Sequence, residues 1–312
     1  MTPRTLPSYI RTPGPTRDLM LRRAEDRVAG VLDDLVRRDP HAATLADGLD
    51  DCLRADTERL RPVILFTGFL AAGGDPASED AVTAAAALEF LDVWQTLRDD
   101  VRENAVLRRG APTTHIRHAA EHERNGWRGE ARRYGELTAA LTGDLVMACG
   151  DRLAARLPEP AADLWQDLRT ERVLGAQAEA DAATEYLGDP WPARCLSGCS
   201  ASCGAGWYAL RHPLLMGAAL AGRPDLAAGF AGYAAPLHAA WRLRGFLDDG
   251  PGYDADAQFL REAVFGARGR QEAEDLISDL VSRAMHGLRG VELARGWYVE
   301  LAALALRLAG TS

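Results

Sequence analysis

The sequence contains no lysine, so arginine carries every permanent positive side-chain charge in its 312 residues. Acidic residues outnumber basic ones by 45 to 36, and the net charge of −9 argues against a nucleic-acid partner. Aromatic residues make up only 7% of the chain, and strand-forming runs of β-branched residues are scarce. Because alanine and leucine dominate and amphipathic stretches recur, the composition predicts an all-α fold.

Long apolar runs are also missing. No uninterrupted run reaches the ~20 residues of a membrane span, and the proline-rich residues 1–17 lack the apolar segment that a signal peptide requires. We therefore expect a soluble, cytoplasmic protein with a flexible leader over 1–17 and a single domain over 18–312. The five cysteines are expected to be reduced thiols in that compartment.

The most informative segment begins with a predicted helix from Ser78, its N-cap, to Asn104. On such a helix Asp99 and Glu103 lie one turn apart on one face, with Asp100 beside them. Carboxylates grouped in this way either bind Mg²⁺ together with ligand phosphate oxygens or form a solvated acidic turn. Two arginines in the following loop are suited to clamp the same phosphate, namely Arg108 and Arg109.

The run from Glu89 to His115, EFLDVWQTLRDDVRENAVLRRGAPTTH, resembles the first aspartate-rich region of the polyprenyl synthetase family. That family includes farnesyl and geranylgeranyl diphosphate synthases. Three further stretches resemble it in register: TERLRPVIL, GELTAALTGDLVM and WYALRHPLLMGAALAG. The resemblance covers about residues 55 to 260 and implies the isoprenoid synthase fold, a helical bundle around a central cavity.

The resemblance also implies a cofactor and a site. In the family, two acidic clusters hold Mg²⁺ on the diphosphate of an allylic prenyl substrate. By resemblance, Asp99, Asp100 and Glu103 bind metal, and Asp248 and Asp249 assist from the second acidic region. The same comparison places diphosphate or substrate contacts on a further group of residues, namely Arg59, Arg108, Arg109, Gln177 and Tyr208.

Several positions depart from the family pattern. Glu58 and Asp92 replace a lysine and a histidine that bind the diphosphate of isopentenyl diphosphate, and Gly204 replaces a second lysine. Gly245 and Phe246 replace the first two aspartates of the second acidic region. Two like charges ~4 Å apart repel by about 4 kcal/mol at an effective dielectric of about 20, so these changes predict poor binding of isopentenyl diphosphate.

The preferred hypothesis is a divergent Mg²⁺-dependent enzyme that ionises an allylic prenyl diphosphate in isoprenoid biosynthesis. The resulting cation is then expected to cyclise, as in class I terpene synthases, or to meet a non-standard acceptor. One alternative is an ordinary short-chain prenyl diphosphate synthase that adds isopentenyl diphosphate. A second is a non-catalytic subunit of such a synthase. The family commonly forms dimers, so we expect a homodimer or a heteromer with an intact synthase.

Three other features allow two interpretations each. Trp94 and Gln95 occupy positions that line the hydrocarbon tunnel in the family. A tryptophan there favours a short prenyl chain and can stabilise a substrate cation with the face of its ring. The other interpretation of Trp94 is core packing. His118 and His122 share a helix face and would chelate a metal, although charged neighbours favour a solvated surface. A CxxxCxxxC run either binds a metal or partner, or consists of small buried residues; it comprises Cys195, Cys199 and Cys203.

Overall fold

The computed structural model describes residues 13–39, 59–108, 110–184, 207–248 and 255–310, and the single positions Ala42, Ala43, Leu45 and Leu53. Apart from one hairpin, the regular elements formed by these residues are helices, which confirms the all-α prediction. The helices are α1 Pro13–Arg38, α2 Leu60–Ala71, α3 Glu79–Arg102, α4 Thr114–Arg124, α5 Ala131–Ala154, α6 Glu159–Thr184, α7 His212–Leu220, α8 Ala227–Asp248, α9 Ala255–Gly287 and α10 Trp297–Ala309. The hairpin pairs β1 Leu107–Arg108 with β2 Ala111–Pro112, and a π-helical turn, Trp207–Arg211, precedes α7.

The first helix begins inside the predicted leader. α1 begins at Pro13 rather than at Asp18, so the end of the predicted leader is helical. A proline fits this first turn because its missing N–H group needs no partner there. The longest helix, α9, begins at Ala255. Among the described residues, no helix is both long and apolar enough to cross a membrane.

The chain divides into two compact units. The first, which we call the Asp99 unit, comprises Asp18–Val63 and Ser78–Pro158. The second, the Asp248 unit, comprises Met1–Arg17, Ile64–Ala77 and Glu159–Ser312. A single domain over 18–312 and a central cavity both stay predictions.

The Asp99 unit is built around α3. Its first turn is stabilised by Ser78, whose hydroxyl accepts a hydrogen bond from the Ala81 amide at 3.2 Å, and by Glu79 beside the positive end of the helix dipole. Glu79 also pairs with two arginines of α1, Arg23 at 2.7 Å and Arg27 at 2.5 Å. The residues from 81 to 95 are buried without interruption, so this part of α3 is enclosed on all sides.

α5 packs closely against α4 through Gly135. A Cβ atom at this position would lie only 2.1 Å from the backbone oxygen of His115, so only glycine fits. The same interface buries His118 and His122, which are 3% and 5% exposed. The prediction of a solvated surface for these histidines was therefore wrong, because α5 and the ring of Trp127 cover this face of α4.

In the Asp248 unit, glycines again allow helices to approach. A Cβ atom at Gly217 of α7 would lie 2.6 Å from the backbone of α2, at both the Leu65 oxygen and the Phe69 nitrogen. α8 and α9 enclose an apolar cluster that includes Leu243 and Ile277. Through these contacts the C-terminal part of α8, which ends at Asp248, packs against α9.

Candidate active site

The predicted acidic cluster lies at the C-terminal end of α3. Asp99 and Asp100 belong to its last turn. Glu103 is the C-cap residue, and its backbone amide donates a hydrogen bond to the backbone oxygen of Asp99. The helix stops before the predicted Asn104 because that residue has a left-handed backbone, with φ at 50°. The chain then turns back, and the Ala105 amide donates to the Asp100 backbone oxygen at 2.9 Å.

The hairpin after α3 returns Arg108 to the acidic cluster. Gly110, with φ at 82°, provides the left-handed residue of the turn. At the base, the Thr113 hydroxyl donates to the Ala105 backbone oxygen at 2.6 Å. Arg108 Nε then donates to Asp100 Oδ1 at 2.6 Å, so the structure brings these two predicted site residues together. Arg109 lies outside the described residues.

Asp100 is a buried carboxylate. Its burial raises the pKa of the carboxyl group, while the hydrogen bond from Arg108 and the charge of that guanidinium oppose the shift. Burial likewise lowers the pKa of His115, against the attraction of Asp100 and Glu136. The carboxyl group of Asp100 and the imidazole of His115 are therefore held in the same desolvated corner behind the exposed end of α3.

The hydrogen bonds of His115 indicate which ring nitrogen carries the proton. The Thr113 hydroxyl has one proton, which it donates to Ala105, so toward His115 Nδ1 at 3.2 Å it acts as an acceptor. His115 Nδ1 is then protonated and Nε2 keeps its lone pair. Nε2 is buried and has no hydrogen-bond partner among the residues that the structure describes.

Asp99 is held on both sides by residues of its own helix. Gln95, predicted as a tunnel residue, donates from Nε2 to Asp99 Oδ2 at 2.7 Å and so orients the carboxylate. On the other side, Arg102 Nη2 lies 3.0 Å from Asp99 Oδ1 and 3.0 Å from Glu103 Oε1. The sequence analysis missed Arg102, although its place between the two carboxylates was a usable signal.

These residues fit a hard divalent cation. Asp99 Oδ1 is buried and receives no hydrogen bond from the residues that the structure describes, despite the nearby Arg102 charge. Carboxylate oxygens are the protein ligands that Mg²⁺ prefers, usually one or two per ion, with phosphate oxygens completing the shell. The described part of the chain holds no group of three or more candidate ligand side chains arranged to bind a metal ion.

Asp92 is not an isolated charge. Its Oδ1 lies 3.0 Å from Nε of Arg61, and its side chain is buried. Arg59 reaches the same helix and lies 3.3 Å from both Glu89 and Glu25. A guanidinium therefore neutralises the charge of Asp92, and the poor binding of isopentenyl diphosphate expected from this residue stays a prediction. Glu58 lies outside the described residues.

Trp94 packs against α5. A Cβ atom at Gly143 would lie 3.4 Å from its Cδ1 atom, and the Arg98 guanidinium lies 4.7 Å from the ring centroid. Trp94 is therefore buried against α5, and its predicted place in a hydrocarbon tunnel stays a prediction. An arginine of the protein already occupies one face of the ring, where the sequence suggested that a substrate cation would lie.

The remaining predicted residues lie in the Asp248 unit. Asp248 ends α8, but its side chain and the whole of Asp249 lie outside the described residues. Gln177 is exposed on α6, and Tyr208 lies in the π-helical turn, its side chain being undescribed. Gly204 and the three cysteines of the CxxxCxxxC run also fall outside the described residues, so their roles stay predictions.

α8 carries a buried histidine that the sequence analysis did not single out. His238 is 6% exposed, and neither ring nitrogen has a hydrogen-bond partner in the described part of the chain. Its ring meets Trp241 edge-on at 6.0 Å. Burial, assisted by the charge of Arg242, lowers the pKa of His238 to about 4, so the imidazole is neutral at pH 7.

His238 should make stability depend on pH. Unfolded, the imidazole takes up a proton near pH 6.5, whereas the native protein resists protonation down to about pH 4. The free energy of unfolding should therefore fall as pH drops through this window, by at most about 3 kcal/mol. Urea unfolding across the window should show that His238→Leu loses less stability than the native chain. The exposed His286→Gln variant is the control, and an equal loss in His238→Leu would contradict the assignment.

The fold and this cluster together define an all-α protein with an acidic cluster at the end of one buried helix. Residues 42–185 match the family model described as Polyprenyl synthetase. The resemblance predicted from the sequence is therefore confirmed, and this part of the chain carries the pattern of that family.

Curated relatives agree. The chain is 30% identical over 144 residues to a nonaprenyl diphosphate synthase of Mycobacterium tuberculosis, covering 46% of this chain and 38% of that protein. It is 34% identical over 105 residues to a geranylgeranyl diphosphate synthase of Saccharolobus solfataricus, covering 34% of this chain and 26% of that protein. The chain thus matches well under half the length of these two relatives.

Solved structures confirm the isoprenoid synthase fold. A geranylgeranyl pyrophosphate synthase from Corynebacterium glutamicum, complexed with isoprenyl diphosphate and magnesium, superposes with a TM-score of 0.73. The identity is 21%, and the match covers 98% of this chain and all of that one. A geranylgeranyl pyrophosphate synthetase from Pyrococcus horikoshii gives 0.68 at 17% identity, covering 95% and 99%.

Proposed function

We propose that this chain is a Mg²⁺-dependent prenyltransferase that condenses an allylic prenyl diphosphate with isopentenyl diphosphate. This is the ordinary-synthase alternative of the sequence analysis. The observation that carries it is the ion pair between Arg61 and Asp92, which neutralises the charge that argued against isopentenyl diphosphate. The matched relatives, which are named as prenyl diphosphate synthases, support the same activity.

The residues at the end of α3 suit the allylic half of the reaction. Asp99, Asp100 and Glu103 would hold Mg²⁺, which when bound supplies Lewis-acid assistance to a departing diphosphate. Gln95 orients Asp99, and the guanidinium of Arg108 opposes the rise that burial causes in the pKa of Asp100. Arg108 also remains 40% exposed, so its outer nitrogens are available to diphosphate oxygens.

A second candidate is ionisation without elongation, followed by cyclisation or transfer to another acceptor. Arg59 favours it, because this predicted ligand of isopentenyl diphosphate is already paired with Glu25 and Glu89. The replacement of two family aspartates by Gly245 and Phe246 points the same way. Both candidates share the acidic cluster and differ only in the fate of the cation.

One assay separates the candidates. The purified chain is incubated with Mg²⁺ and geranyl, farnesyl or geranylgeranyl diphosphate, each with and without labelled isopentenyl diphosphate. We expect label in a longer prenyl diphosphate, detected by mass. Diphosphate release without incorporation would support the second candidate and overturn the first. If no diphosphate is released, both fail, and the non-catalytic subunit becomes the better hypothesis, to be tested by adding an intact synthase. A homodimer also stays a prediction.

A further inference from the structure

Arg102 occupies the middle of the acidic cluster. Its Nη2 atom lies at the same distance, 3.0 Å, from Asp99 Oδ1 and Glu103 Oε1, two of the predicted metal ligands. Nη2 donates a hydrogen bond to Glu103, whereas Asp99 Oδ1 receives none from Arg102 or any other described residue. The contact with Asp99 is therefore an ion pair without a directed hydrogen bond, which makes it the weaker of the two.

We propose that Arg102 is a resident counter-ion of the acidic cluster that competes with divalent cations for Asp99 and Glu103. This inference rests on the proposed function, since it assumes that the cluster binds Mg²⁺. A guanidinium nitrogen stays 3.0 Å from each oxygen, whereas Mg²⁺ binds oxygen at about 2.1 Å. The cation must therefore displace Arg102 from the space between the carboxylates.

The displacement is physically feasible because the arginine is 44% exposed at a helix end. Its guanidinium can swing into water, where it remains hydrated. Exposed ion pairs contribute little free energy. Breaking two of them corresponds to a change of about threefold to tenfold in the affinity of the cluster for the metal. Arg102 thereby keeps two carboxylates close together before the metal binds, and lowers the affinity of the cluster for the metal.

Manganese titration of the full chain tests this inference directly. Mn²⁺ replaces Mg²⁺ as the probe, and the electron paramagnetic resonance signal of free Mn²⁺ reports binding without any substrate. We expect Arg102→Gln to bind Mn²⁺ about threefold to tenfold more tightly than the native chain. Arg102→Lys keeps the positive charge and should stay close to native affinity. Arg98→Gln is the matched control, because Arg98 lies one turn earlier and stacks on Trp94 instead.

The outcomes separate this inference from the proposed function. Tighter binding in Arg102→Gln alone supports the competition. Unchanged or weaker Mn²⁺ binding in Arg102→Gln, or equally tighter binding in Arg98→Gln, overturns the competition. If Asp99→Asn still abolishes Mn²⁺ binding in that case, the proposed metal site stands without it. Absence of Mn²⁺ binding in both the native chain and Arg102→Gln overturns the inference and also removes the metal from the proposed function.

Discussion

Asp99→Asn should lower kcat/KM for diphosphate release at least about 100-fold, which corresponds to about 3 kcal/mol of transition-state stabilisation. The amide keeps an oxygen that Gln95 can still contact, so the side chain stays in place. It removes the negative charge that a hard cation requires, and with it the Lewis-acid assistance to the leaving group. Steady-state release of diphosphate from the preferred allylic substrate measures the effect.

The control for this variant is Glu123→Gln. Glu123 is an exposed carboxylate of α4 in the same unit, so its loss changes the net charge by the same amount. We expect Glu123→Gln to keep activity within about twofold, since exposed charges far from a site act weakly. Far-UV circular dichroism should show both variants folded. If Asp99→Asn retained more than about a tenth of native activity, Asp99 would not be a metal ligand for the reaction.

Gly135→Ala should lower the free energy of unfolding by at least about 3 kcal/mol, because one added methyl group would overlap the backbone of α4. The nearest atom, the His115 oxygen at 2.1 Å, belongs to a helix backbone and cannot rotate away. α5 would have to move off α4, which would loosen the cover over His118 and His122. Urea unfolding followed by circular dichroism measures the loss, and failure to fold agrees with the prediction.

Gly143→Ala is the matched control on the same helix. Its added Cβ atom would meet Trp94 Cδ1 at 3.4 Å, an ordinary contact distance. Alanine also favours a helix over glycine by up to about 1 kcal/mol, so we expect stability to change little or to rise. A loss in Gly135→Ala no larger than that in Gly143→Ala would show that the α4–α5 contact is not tight.

The behaviour of α3 was largely predictable from neighbouring residues. The spacing of Leu88, Leu91 and Leu97 indicated the helix, and Ser78 indicated its start. The end was missed by two residues, because the left-handed turn at Asn104 depends on the hairpin that follows. The spacing of Arg102 between the two acidic residues was compatible with an ion pair. Arg98 lies on the same helix, and the sequence did not indicate which arginine reaches the carboxylates. Only the structure shows that Arg98 stacks on Trp94 while Arg102 reaches the carboxylates.

By itself the sequence determined the helical class, the register of the acidic cluster, and the resemblance to polyprenyl synthetases. These features depend on residues within a few turns of one another, where helix geometry sets the distances. Tertiary structure alone decided the pairing of Asp92 with Arg61 and the burial of His118 and His122. Such contacts join segments that are far apart in the chain. Whether a charged residue is neutralised therefore depends on a neighbour that no local sequence pattern identifies.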